Sequence, residues 1–326
     1  MDPIGFAADI QKRPSSLRDL QQVLLADDPW GLLPIDVTKV LFLGMGSSTF
    51  AASVAAARMR ALGIDAVAEL ASSELLPPPE PGQLVVAISA SGGSRETLDA
   101  VAQYQGHSPV VAVTNIEGTA LTEAADGAVL MHAGLERGGV SCRSYTHTQV
   151  LLRALEERLS GIDRDLPAIV ARAADATQHL LDQSTSWLPR LVEMVGDGDL
   201  TAVVAPFRRL GNASQSALML REGPRRPAIA AETGEWSHVD VYLTKTMDYR
   251  MLLLPGSRYE PALLEWTQQR GSTVVSVGAE IDGATEAIRY RDDDDEDVRL
   301  LTELVVAELV AAQLWSRVSA GVPPSH

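Results

Sequence analysis

Three serines, Ser89, Ser91 and Ser94, alternate with Ala90 and the pair Gly92-Gly93 directly after the run Val85-Val86-Ala87-Ile88. That run is rich in β-branched residues and reads as a buried strand. A helical pattern follows, with Leu98, Val101 and Ala102 on one face. Strand, Ser/Gly turn and helix are what holding a phosphate requires. The helix start leaves backbone N–H groups unpaired and carries partial positive charge. The glycines let the backbone approach an anion, and each serine hydroxyl can donate one more hydrogen bond. The loop has no lysine, so it suits a compact phosphomonoester better than a magnesium triphosphate. A plainer reading is that Ser94 caps its helix and the other serines fill a turn. A second serine-rich turn, Gly44-Met45-Gly46-Ser47-Ser48-Thr49, follows the run from Lys39 to Leu43.

These turns need a scaffold, and the chain supplies one. Short apolar strands alternate with helical segments, which indicates α/β architecture: a mainly parallel sheet covered on both faces, with ligands at the C-terminal strand ends. Strands are expected at Lys39–Leu43, Ala66–Leu70, Val85–Ile88, Pro109–Thr114 and Ala128–Met131. Helices are expected from Phe50 to about Leu62, at Leu121–Ala125 and from Val140 to about Leu159. The pattern begins again at Leu200, with strands at Ala202–Ala205, Pro227–Ala231, Arg250–Leu254 and Thr273–Val277 and a last helix from about Val298 to Val318. The reading is two copies of one α/β unit, over 36–160 and 196–326, with a helical lead-in at 1–35 and a helical connector at 161–195. The second copy has no Ser-x-Ser-Gly, and its equivalent turn is Pro255-Gly256-Ser257.

Composition narrows the function. The 326 residues are 46% hydrophobic and 21% charged, enough for a substantial core, and the formal charge of −16 argues against a nucleic-acid partner. Cys142 is the only cysteine, so no intrachain disulfide forms and a reducing compartment is the natural reading. No signal peptide and no apolar run near the ~20 residues of a membrane span is found, so a cytoplasmic protein without a membrane partner is expected. His107, His132, His147 and His179 lack metal-ligand spacing, and Thr49 takes the third glycine position of a dinucleotide fingerprint. No metal and no cofactor is therefore called for. The acidic run Asp292–Asp297 reads as a solvated loop before a helix.

The ordered motifs resemble a family: the double sugar isomerase (SIS) domain proteins. They are similar to the isomerase half of glucosamine-6-phosphate synthase and to stand-alone glucosamine-6-phosphate deaminases and fructosamine-6-phosphate deglycases. Asp9-Ile10-Gln11-Lys12-Arg13-Pro14-Ser15-Ser16-Leu17-Arg18 is similar to E-I-x-E-Q-P-x-x-L-R. Gly46-Ser47-Ser48 matches G-T-S, Ala71-Ser72-Ser73-Glu74 matches A-S-E-[FL] with one extra serine, and Ser89 to Ser94 match S-Q-S-G-E-T. Gly139-Val140-Ser141 through Thr148-Gln149 matches G-V-A-S-T-K-x-F-T-x-Q. Each motif alone is weak; their order and spacing over nearly the whole chain are specific.

The resemblance implies two tandem flavodoxin-like SIS domains, each a three-layer α/β/α sandwich. It assigns sugar-phosphate binding to Ser48, Ser89, Ser91 and Ser94, with Gly46, Ser47, Ala90 and Val140 lining the same site. Leu218-Met219-Leu220-Arg221-Glu222 resembles L-K-L-K-E, whose glutamate is the base, and Glu232 to His238 resemble x-x-G-E-L-K-H, whose histidine handles ring opening. In the family that histidine comes from the partner subunit, so a homodimer is implied. The chemistry is coherent. A partly desolvated carboxylate can carry a proton between two adjacent carbons, an imidazole titrates in the range needed to open a sugar ring, and a phosphate anchor supplies orientation. Taken singly, Glu222 fits a solvated helix end and His238 a surface loop equally well.

Departures set the limits. Ala90 replaces glutamine, and Gly93-Ser94 replace Glu-Thr. Ser144, beside Arg143, and Met219 stand where the family has lysines, and Cys142 stands where it has a serine. The stretch Val322-Pro323-Pro324-Ser325-His326 does not match the synthase tail, and no glutaminase sequence is found, so glutamine-dependent synthesis is not expected. The expected function is an isomerase, deaminase or deglycase acting on an amino-sugar or ketosamine 6-phosphate; the alternative is a sensor that binds the sugar phosphate without reaction.

Overall fold

The computed structural model describes residues 1–31, 33 and 37–321. The 35/36 boundary and the stretch Val322–His326 singled out above lie outside the described residues. The chain forms two compact units: Ser16–Leu135 with Ser141–Val170, and Met1–Ser15 with Glu136–Val140 and the residues from Ala171 onward.

In chain order come α1 (Pro3–Gln11), α2 (Arg13–Ala26), β1 (Lys39–Gly44), α3 (Ser47–Ala61), β2 (Asp65–Leu70) and β3 (Gln83–Ile88). Then follow α4 (Arg95–Val101), β4 (Val110–Thr114), α5 (Ala120–Ala124), β5 (Gly127–Leu130), α6 (Arg143–Ser160) and α7 (Leu166–Gly196). The first unit's sheet has the order β2-β1-β3-β4-β5 with every pairing parallel. Leu41, Leu43, Val85, Ala87, Val110 and Ala112 project from β1, β3 and β4 into one core. A face of alanines, Ala51, Ala52, Ala55 and Ala56, lets α3 lie close on β1, β2 and α6. Fully buried Trp30 satisfies its indole by donating to the Leu151 carbonyl at 2.7 Å, as a buried polar group must.

The remaining elements are β6 (Leu200–Ala205), α8 (Leu210–Glu222), β7 (Ala228–Glu232), α9 (Thr233–Trp236), β8 (Tyr249–Leu253), α10 (Glu260–Arg270), β9 (Thr273–Val277), β10 (Glu286–Ile288), α11 (Glu296–Thr302) and α12 (Leu304–Ser319). Their sheet reads β7-β6-β8-β9-β10, again all parallel. The strand order repeats that of the first sheet, so β6 stands for β1, β7 for β2 and β8 for β3. The lead-in is split: α1 belongs to this second unit. Asp2 accepts from the N–H groups of Ile4 and Gly5 to start α1, Phe6 packs on Trp315 with ring centroids 6.0 Å apart, and Arg13 pairs with Glu308 at 2.6 Å with both side chains fully buried.

Three expectations change. The helix written as Val298–Val318 is two helices, α11 and α12. Strand β10 was not anticipated. The acidic run is not simply solvated: Asp293 is buried and chelates Arg289, while Asp295 accepts from the Asp297 and Val298 N–H groups to start α11 and pairs with Arg172 at 2.8 Å.

Candidate active site

In the first unit, adjacent β1 and β3 run parallel with Gly44 beside Ile88, so the turns that follow them lie side by side. The chain leaves β1 toward one side of the sheet and β3 toward the other, which makes the gap between them the switch point where α/β sheets hold ligands. Gly44 has no room for a side chain: a Cβ there would come within 2.7 Å of the Ser48 Cβ. At Gly46 (φ +52°) nothing lies within 4 Å of where a Cβ would be, so the turn opens onto free space. The hydroxyls of Ser47 and Ser48 make no hydrogen bond among the described residues, whereas Thr49 donates back to the Gly44 carbonyl at 2.7 Å.

The turn after β3 is tied down by its backbone. Ser89, buried, donates its N–H to Val113, and the Gly92 N–H closes on the Ser89 carbonyl at 3.0 Å. Gly92 has φ +63°, and a Cβ there would meet the Thr119 hydroxyl at 2.1 Å, so no other residue fits. The Ala90 carbonyl accepts from the Asn115 N–H. The Ser89 hydroxyl has no partner among the described residues, and Ser91, exposed, accepts only a long 3.4 Å contact from the Gly93 N–H. Ser94 starts α4, accepting from the Thr97 N–H (3.4 Å) and hydroxyl (3.1 Å) while donating to Glu96 at 3.0 Å. The backbone N–H of Glu96 itself and then the Ser94 hydroxyl hold the Glu96 carboxyl below the usual range. The fold thus brings Gly46, Ser47, Ser48, Ser89, Ala90, Ser91 and Ser94 to one end of one sheet. Val140 is buried in the segment Glu136–Val140, which groups with the second unit.

The lysine positions hold nothing charged and free. Ser144 is buried, sharing a 2.8 Å hydrogen bond with Ser141. Its neighbour Arg143 is buried too and donates to the Leu135 carbonyl at 2.6 Å. Cys142 is a packed, buried residue at the N-cap of α6.

In the second unit Glu222 is the last residue of α8. It is half-buried, and its carboxylate has no hydrogen bond or ion pair among the described residues. Burial pushes its pKa up, and the nearby Arg225 charge pulls it part of the way back. His238 follows α9, whose first turn is held by Glu232 accepting from the N–H groups of Gly234 (2.7 Å) and Glu235 (3.0 Å). Buried Trp236 anchors that short helix by donating to the Tyr249 hydroxyl at 2.8 Å. The His238 side chain is exposed, and its N–H closes the turn on the Glu235 carbonyl at 2.9 Å. Helix α8 runs back along the sheet, so Glu222 precedes the start of β7 and His238 follows its end. The five residues of β7 put about 16 Å of strand between those points. Sequence reasoning passed over Arg225; the available signal was a cation between Pro224 and Pro227 three residues after the expected base.

Among the described residues no group of three or more His, Cys, Asp or Glu is placed to hold a metal ion, and no helix is long and apolar enough to cross a membrane.

Residues 35–158 match the SIS domain model. The sheet of the second unit repeats the strand order of the sheet in that segment, so the chain holds two tandem copies of one fold. A curated relative, the glutamine–fructose-6-phosphate aminotransferase of Aeropyrum pernix, is 28% identical over 173 residues, covering 50% of this chain and 28% of that protein. Its counterpart from Sulfurisphaera tokodaii is 22% identical and covers 99% of this chain and 55% of that protein. The chain spans about a quarter to about a half of the length of these relatives. Among solved structures, the C-terminal domain of glucosamine-fructose-6-phosphate aminotransferase from Francisella tularensis superposes with a TM-score of 0.80 at 18% identity, covering 96% of both chains. Glucosamine-6-phosphate deaminase from Thermotoga maritima gives 0.78 at 19% identity, over 98% of this chain and 96% of that one. At these identities the superpositions establish the fold. Over 96% of its length the chain shares the fold of the C-terminal domain of that aminotransferase.

Proposed function

We propose that this chain is a phosphosugar isomerase-type enzyme that moves a proton between C1 and C2 of an amino-sugar or ketosamine 6-phosphate. The observation that carries the reading is the pair of turns after β1 and β3, where unengaged hydroxyls and an open Gly46 turn meet at the switch point of a parallel sheet. Ser48, Ser89, Ser91 and Ser94 hold the phosphate. Ser94 must release Glu96 to do so, since both anions compete for one hydroxyl. Each donor to a charged oxygen contributes about 1.5–3 kcal/mol.

Glu222 is the proton carrier. Its raised pKa makes its conjugate acid easier to form at neutral pH, which suits a base that must take a proton and return it to the next carbon. His238 protonates the ring oxygen to open the sugar, or a leaving amine in deamination or deglycation. The separation of Glu222 from His238 along β7 supports the homodimer implied by the resemblance, in which the partner's copy of that histidine reaches the base. A glutamine-dependent reaction is not part of this reading.

Proton NMR in deuterated water, with glucosamine 6-phosphate, fructose 6-phosphate and fructosamine 6-phosphate in turn, tests it. Deuterium should enter at C1 or C2 of at least one, and the product separates isomerase, deaminase and deglycase. Glu222→Gln should lower exchange by about 100- to 10,000-fold while leaving phosphate binding intact. The acid limb of kcat/KM should lie above the ordinary carboxylate range, because burial raises Glu222. Binding without exchange across the panel would instead assign the chain as a sugar-phosphate sensor. The buried Met219 and Ser144 at the lysine positions are the observation on that side.

A further inference from the structure

Four non-glycine residues among those described have left-handed backbones: His132, Asp165, Arg225 and Asp292. Histidine and aspartate are enriched in that region, but arginine has no short polar group to ease it. Arg225, at φ +59°, is the unusual one, and everything around it is pinned. The Gly223 N–H donates to the Met219 carbonyl at 3.2 Å and the Arg226 N–H to the Leu220 carbonyl at 3.0 Å. Gly223 is pressed so close to Trp315 that a Cβ would come within 2.8 Å of the ring. The Arg226 guanidinium is tied to the Gly198 carbonyl at 2.7 Å. The Arg225 guanidinium is exposed and has no hydrogen bond or ion pair among the described residues. Strain of this kind persists when the surroundings impose it, and it gathers at functional sites.

Proton abstraction next to a carbonyl creates a charge that needs a partner. The C–H bond breaks and the proton goes to Glu222. The electron pair forms the C1–C2 double bond, and the carbonyl oxygen becomes the oxyanion of an enediolate. A preorganised cation at that oxygen is among the largest contributions a site can make. Met219 and Ser144 at the lysine positions are each 1% exposed and uncharged, and Arg143 is engaged with Leu135. Three residues after Glu222, free and facing solvent, stands Arg225.

We propose that Arg225 is a catalytic residue whose guanidinium stabilises the enediolate oxyanion formed when Glu222 takes the proton; this rests on the assignment of Glu222 as the base. Arg225→Gly gives a clean test, because it removes the cation and relaxes the backbone together. Its melting temperature should equal or exceed that of the unaltered protein, while kcat falls by about 100- to 1,000-fold with KM changed by less than about threefold. Added guanidinium ion should recover part of the lost rate in Arg225→Gly and none in Glu222→Gln, and Arg225→Lys should be intermediate. Binding needs no turnover: 5-phospho-arabinonohydroxamate, a stable enediolate mimic, should bind at least about tenfold more weakly to Arg225→Gly, with fructose 6-phosphate affinity unchanged. Unaltered kcat and hydroxamate affinity in Arg225→Gly would overturn the assignment. So would a lower melting temperature with no rescue, or an unaltered protein that does not prefer the hydroxamate. If Glu222→Gln keeps full exchange, the base is wrong and Arg225 falls with it. If Glu222→Gln is inactive and Arg225→Gly is not, only the role of Arg225 is wrong.

Discussion

The turn after β3 and the turn after β8 occupy the same place in two sheets of the same strand order, and they treat their polar groups in opposite ways. In the first unit the hydroxyls of Ser47, Ser48 and Ser89 have no partner among the described residues, and the turn at Gly46 is open. In the second unit the donors are already taken. The N–H groups of Gly256 and Ser257 both donate to Glu260 in the first turn of α10, so a carboxylate of the chain sits where an external anion would bind. Where the first unit has Ser47 and Ser48 as the third and fourth residues after β1, the second has Arg208 and Arg209 after β6. Arg208 donates to the Gly256 carbonyl at 2.8 Å and to Glu296 at 2.7 Å. Arg209, 1% exposed, reaches Glu296, the Pro255 carbonyl and fully buried Glu303, which also accepts from Asn212 at 2.8 Å. The same backbone makes a receptive strand end when its donors are left spare and a rigid one when the chain supplies both charges itself.

Arg209→Met should have the largest effect on this contrast. It strands Glu303 in the core, and removing one partner of a buried pair costs about 3–5 kcal/mol. Urea denaturation of the second unit should show this, with sugar-phosphate affinity unchanged; a mild loss would mean that the cluster is not structural. Ser48→Ala and Ser91→Ala should do the reverse. Each should remove one proposed donor to the phosphate, worth about 1.5–3 kcal/mol or about 10- to 150-fold in Kd by calorimetry, and leave stability within about 0.5 kcal/mol. An equal loss of stability would erase the difference between the turns. Glu260→Ala is the smallest and sharpest change. It should cost about 1 kcal/mol, as loss of a capping group does, and phosphorus NMR should still count one phosphate per chain because Arg208 and Arg209 remain in place. A second bound phosphate would show that the two turns differ only by that internal carboxylate.

Much of this was legible from local pattern. β-branched runs ending in Ser/Gly turns located β1, β3 and the serine turns that follow them, and repetition of the pattern located Pro255-Gly256-Ser257. What escaped depends on distant partners. Asp2 before Pro3 is a local helix-start signal, but Phe6 of α1 also needs Trp315, and Arg13 at the start of α2 needs Glu308, each about three hundred residues away. β10 has three residues, too few for alternation to register. The break between α11 and α12 falls at Glu303, inside a stretch that is buried without interruption and so shows no change of period. Asp293 looked solvated because a run of acids does not reveal that Arg289 and the Tyr290 N–H turn toward one of them. In the site, the serines were visible by type, whereas the importance of Arg225 lies in a backbone angle that no residue count displays.

The pairing of Arg13 with Glu308 also sets a schedule for synthesis. The two residues are 295 positions apart, and translation proceeds at about 5–20 residues per second. Arg13 and its neighbour Phe6 therefore leave the ribosome about 15–60 s before the helix that covers them exists. The first unit can close during that interval, while residues 1–15 wait uncovered for that helix. Long-range closure of this kind is slow and open to capture by other chains, so a nascent-chain chaperone would find a long opportunity at these fifteen residues.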